Sequence, residues 1–111
     1  MITNENLLME GKTGGWTRRI YRFLSGYGLF LVKSPLAHDS EYAWGVKIIK
    51  DITDSGGYDL TYTTHGGLLP KKVKVFKTDK QANAFIAKAK KLLDVPEYKE
   101  KDNEERAGNA A

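Results

Sequence analysis

Residues 79–93 constrain the fold more than any other stretch of this sequence. At helical spacing Ala82, Phe85, Ile86, Ala89, Leu92 and Leu93 fall within one arc of ~120°. Lys80 and Lys91 lie opposite that arc, and Lys88 and Lys90 flank it. Thr78 and Gln81 have the spacing of a capping box, and Asp94-Val95-Pro96 ends the helix. Such a helix needs an apolar surface to lie on. A chain of 111 residues must supply that surface from within one domain.

Strands supply it. Residues 29–33 read as a short apolar strand that Pro35 ends. Residues 41–50 alternate, with Tyr42, Trp44, Val46 and Ile48 inward and Ala43, Gly45 and Lys47 outward. Asp54-Ser55-Gly56-Gly57 is a turn. Residues 58–63 alternate again, with Tyr58, Leu60 and Tyr62 inward and Asp59, Thr61 and Thr63 outward. Gly66, Gly67 and Pro70 mark a loop. Residues 72–77 form a fourth strand, with Val73 and Val75 inward and Lys72 and Lys74 outward.

Ahead of the strands, Thr17 reads as the N-cap of a first helix. Trp16 and Tyr21 have the spacing of a hydrophobic staple. Ile20, Phe23 and Leu24 share one face, Arg18 and Arg22 the opposite one, and Gly26 is a stop signal. The expected fold is therefore α+β: a four-stranded antiparallel meander with one helix before and one after, both on one face. Residues 1–15 are expected to be a flexible arm, 16–94 the domain, and 95–111 a disordered charged tail.

Hydrophobic residues make up 41% and charged residues 29%, as in ordinary globular proteins. There is no cysteine, which excludes disulfides and thiolate metal sites. Residues 1–10 lack the positive run and apolar core of a signal peptide. No stretch has the length of a membrane span. A cytoplasmic location without membrane contact is the expectation. The formal charge of +4 is uneven: residues 58–94 hold eight lysines against three acids, and residues 95–111 hold five acids against three bases. A basic half attracts nucleic acid or an acidic protein surface, or simply keeps the surface solvated.

No catalytic or cofactor constellation stands out. His38 and His65 sit among turn residues, and no nucleophile is tied to either by spacing. They read as exposed loop histidines. His, Asp and Glu show no metal-ligand spacing. Gly11-Lys12-Thr13 resembles the end of a phosphate loop without its upstream glycine and strand. Gly66-Gly67 precedes a strand and not a helix, so it lacks the helix dipole that holds phosphate.

The opening Thr3-Asn4-Glu5-Asn6-Leu7-Leu8, followed by Gly14-Gly15-Trp16-Thr17 and Leu24-Ser25-Gly26, resembles small phage and prophage proteins. In those, a Gly-Gly-(Trp or Phe)-Thr stretch opens a helix. The resemblance implies a mobile-element origin. Residues Val75 to Ile86 resemble the strand-to-helix step of arm-type DNA-binding domains of tyrosine recombinases. The helix-strands-helix order is similar to double-stranded-RNA-binding domains, without their Gly-Pro-x-His loop. Both likenesses concern fold, which does not dictate function.

Two functions stay open. One is a non-enzymatic phage-type protein that docks on a host protein complex, for example a CRISPR or other defence machine, and inhibits it. Its contacts are expected from Arg18, Arg22, Lys80, Lys88 and Lys91. The other is nucleic-acid binding through a lysine-rich sheet face holding Lys47, Lys72 and Lys74. Neither requires a cofactor or a metal.

Overall fold

A computed structural model of the chain describes residues 2–33, 44–61 and 74–99. Their order is β1 (Leu7–Thr13), β2 (Trp16–Arg22), β3 (Gly28–Lys33), β4 (Trp44–Lys50), β5 (Asp59–Leu60), β6 (Lys74–Phe76) and α1 (Asp79–Leu93). The strands form one antiparallel sheet. β1, β2, β3 and β4 follow in order, and β4 pairs with β5 at one end and β6 at the other. The architecture is an antiparallel sheet with, among the described residues, one helix and six strands.

The expected first helix is strand β2. Two facts favour the strand. Trp16 to Phe23 is rich in β-branched and aromatic residues, which fit a pleated surface. Gly14 and Gly15 both have positive φ, 57° and 86°, and Thr13 pairs with Trp16. A two-residue turn with both φ positive matches the twist of a hairpin. The same turn makes residues 7–13 a strand, where a flexible arm was expected. With no leading helix, the likeness to double-stranded-RNA-binding order is gone.

The helix over 79–93 is present as expected. Gln81 N–H donates to Thr78 Oγ1 (3.1 Å), while Gln81 Oε1 accepts from Lys77 N–H (2.9 Å) and not from the Thr78 amide. Ala82, Phe85, Ile86, Ala89 and Leu93 are buried against Tyr21, Leu29, Leu31, Trp44, Val46 and Ile48. Trp44, Val46 and Ile48 thus point inward as their alternation predicts.

Two other inward assignments are reversed. Tyr58 and Leu60 are exposed, and Thr61 is buried with its hydroxyl donating to the Ile48 carbonyl. Leu60 stands opposite Ile49, whose side chain points away from α1. Val75 is 44% exposed, and Lys74 stands opposite Val46 on the helix-covered side. Pairing, not local alternation, decides which face a strand buries. Tyr42, Ala43, Tyr62, Thr63, Lys72 and Val73 lie outside the described residues, as do the loop histidines and Gly66-Gly67.

The segments before β1 and after α1 both pack on the domain, residues 2–5 against α1 and the Tyr21 side chain. Ile2 is buried, Thr3 N–H donates to Asn83 Oδ1 (2.8 Å), and the Tyr21 hydroxyl donates to the Thr3 carbonyl. Glu5 pairs with Lys90. At the other end, Tyr98 packs edge-on against Tyr27 with centroids 5.1 Å apart. Residues 95–99 are therefore placed on the domain, where a disordered tail was expected to begin. Tyr98 supplies the apolar area that the rest of that segment lacks.

Candidate functional site

Cross-strand register defines a second face of the sheet, turned away from α1. Side chains directly opposite each other in an antiparallel ladder share a face. One row runs Gly11, Arg18, Val32, Gly45, Val75 across five strands. The next runs Met9, Ile20, Phe30, Lys47. Trp16 continues the β2 side of this face beyond Arg18, and Arg22 continues it the other way.

The two ends of this face differ. Near Arg22 the loop after β4 folds over it, and Ile52 joins Ile20 and Ile49 in a small second core. There Arg22 Nη1 reaches Asp54 Oδ1 at 2.8 Å. Toward Trp16, no helix or strand among the described residues lies over the face. Trp16 is 43% exposed there, whereas Met9, approached by Gly56, and Tyr58 lie beside the covering loop. Phe30, half-buried, meets Tyr58 with ring centroids 5.6 Å apart.

The charged strand residues on this face have one sign. Every charged residue that the register places on it is a cation: Arg18, Arg22 and Lys47. Among the described residues no carboxylate pairs with Arg18 or Lys47. The helix-covered face is mixed by contrast. There Arg19 Nε lies 2.6 Å from Glu10, and Arg19 and Lys33 each stand 5.8 Å from the centre of the Trp44 ring.

The expected groups of site residues are redistributed. Arg18 and Arg22 are not neighbours of the helix lysines, because they sit on the far face of the sheet. Lys80, Lys88 and Lys91 are exposed on α1. Lys47 shares the open face with Arg18. Lys74, expected beside Lys47, lies on the helix side, where it and Lys88 border one cleft. Lys72 lies outside the described residues. Gly11-Lys12-Thr13 leads into a hairpin turn and then a strand, so no helix N-terminus is at hand to hold phosphate.

Sequence reasoning missed Trp16 and Tyr58 as surface aromatics. As a strand, Trp16, Arg18, Ile20 and Arg22 share one face and Thr17, Arg19 and Tyr21 the other, but both sets mix apolar and charged residues, so alternation gave no signal for Trp16. Among the described residues, no group of three or more His, Asp and Glu could hold a metal ion. No helix among them is long and apolar enough to cross a membrane. Comparison with protein-family models, with curated proteins and with solved structures finds no match.

Proposed function

We propose that this chain is a non-enzymatic binding protein that holds single-stranded nucleic acid on the open half of its sheet. The observation that carries this reading is exposed Trp16 beside Arg18, on a face whose charged strand residues, Lys47 among them, are all cations. Cations neutralise phosphates without reading sequence. Exposed rings stack on bases, which a duplex keeps inside its own stack. A mobile-element setting in the cytoplasm rests on the opening sequence alone, since Gly14-Gly15 leads into a strand here and not a helix. Docking on a host protein complex is the second reading. It is favoured by a separate surface, the cleft beside β6.

The test is fluorescence anisotropy of the full chain with a labelled oligothymidylate and with a duplex. The single strand binds more tightly, and its affinity falls with salt at about −0.7 log units per phosphate neutralised. Trp16→Ala weakens binding by about 1–3 kcal/mol if one base stacks there. Arg18→Glu with Lys47→Glu abolishes it and leaves the melting curve unchanged. Equal affinity for duplex, or an unaltered double variant, defeats the proposal.

A further inference from the structure

A cleft of about 700 Å³ opens between β6 and residues 81–88 of α1. Its floor is apolar: Phe76, Ala84 and Phe85 line it, while Val75 lines it at the strand edge with its side chain on the other face of the sheet. The rings of Phe76 and Phe85 lie 5.2 Å apart and tilt 33° to each other. Lys74, Lys77 and Lys88 stand around this floor, all exposed, and Gln81 is the remaining lining residue. Among the described residues no carboxylate lines the cleft.

β6 adds a second property. One of its edges pairs with β4, and among the described residues no strand pairs with the other. An edge of this kind presents backbone donors and acceptors to whatever lies beside it. A peptide backbone can complement both kinds of group, and a phosphodiester, having acceptors alone, can complement the donors only. An added strand also sends alternate side chains to one side, where the Phe76 and Phe85 floor can receive them.

We infer that this cleft binds an extended acidic segment of a partner protein. Its backbone adds to the free edge of β6. Its apolar side chains enter the floor between Phe76 and Phe85, and its carboxylates meet Lys74, Lys77 and Lys88. The lysine rim speeds encounter and selects acidic sequences, and the apolar floor supplies the anchor. This inference is independent of the nucleic-acid reading, because Lys74 and Trp16 are on opposite faces of the sheet.

The experiment uses the full chain and a labelled peptide that alternates glutamate with phenylalanine and leucine. A control peptide carries lysine for each glutamate. The glutamate peptide is expected to bind and to shift amide resonances of Val75, Phe76 and Ala84. The lysine peptide is expected not to bind. Lys74→Glu with Lys88→Glu should weaken binding by about tenfold or more, which is about 1.4 kcal/mol. Both positions are exposed, so the melting curve should stay as it is. Oligothymidylate should leave the β6 resonances in place. The inference is overturned if both peptides bind alike, if the shifts fall elsewhere or are absent, if the double variant binds normally, or if oligothymidylate displaces the peptide from the cleft.

Discussion

Trp44 Nε1 donates to Asp79 Oδ1 over 2.7 Å, which ties the first turn of α1 to the strand that joins β3 to β5 and β6. The bond favours the charged carboxylate, and it holds the Asp79 pKa below its ordinary 3.8. A depressed folded pKa means the folded state binds the proton less tightly than the unfolded chain. The contribution to stability is therefore complete well above pH 3.8. It shrinks as pH falls below that value and is gone below the folded pKa. Trp44→Phe removes the donor. The difference in melting temperature between the two proteins should be largest at neutral pH and narrow in strong acid to the part set by the smaller buried ring. Curves that stay parallel through this window would show that the bond does not set the Asp79 pKa.

Phe85 joins the helix to the sheet. It is buried, and its ring meets Phe76. Phe85→Ala should cost about 3–5 kcal/mol, because the lost transfer energy is joined by a cavity. Chemical denaturation measures this. A loss under about 1 kcal/mol would mean that neighbouring side chains collapse into the space.

Glycine is required at one strand position and not at another. A Cβ on Gly28 would overlap the Tyr21 carbonyl oxygen and crowd Ile52, whereas one on Gly11 would meet nothing within 4 Å. Gly28→Ala should destabilise by about 1–3 kcal/mol, since the clash is with backbone. Gly11→Ala should be neutral or stabilise by up to about 1 kcal/mol. Similar melting temperatures for the two variants would contradict the close approach at Gly28.

Among the described residues, Tyr98 is the last side chain to touch the core. Its ring stands at 85° to Tyr27, and its amide donates to the Val95 carbonyl. Tyr98→Ala should cost about 1 kcal/mol or more, as an edge-on aromatic pair is worth about 0.5–1.5 kcal/mol beyond its burial. Cutting the chain before Glu97 should cost at least as much. An unchanged melting curve would make residues 97–99 dispensable, as sequence composition suggested.

Some of this architecture was legible residue by residue. Thr78, Gln81 and the Ala82 to Leu93 arc set α1 through contacts three and four positions apart, so the segment carries its own instructions. Trp44, Val46 and Ile48 declared their face by alternation. Trp16 to Leu24 was misread because Ile20, Phe23 and Leu24 fit a helix over a single turn, too short a span to separate it from a strand. The Gly14-Gly15 turn was the deciding signal there. The candidate site was less legible. Arg18, Lys47 and Lys74 were visible as cations, but their company was not.

By itself the sequence determined the long helix, the central strand's inward side and the absence of thiol chemistry, because each depends on neighbours in the chain. Tertiary structure alone decided that Arg18 shares a face with Lys47, and that Lys74 leaves it for the cleft beside Lys88. Those outcomes follow from pairing register. Side chains alternate every residue along a strand, so one step in register moves each of them to the opposite face. Lys74 opposite Val46 is fixed by contacts far apart in sequence, and no local pattern within residues 72–77 encodes it.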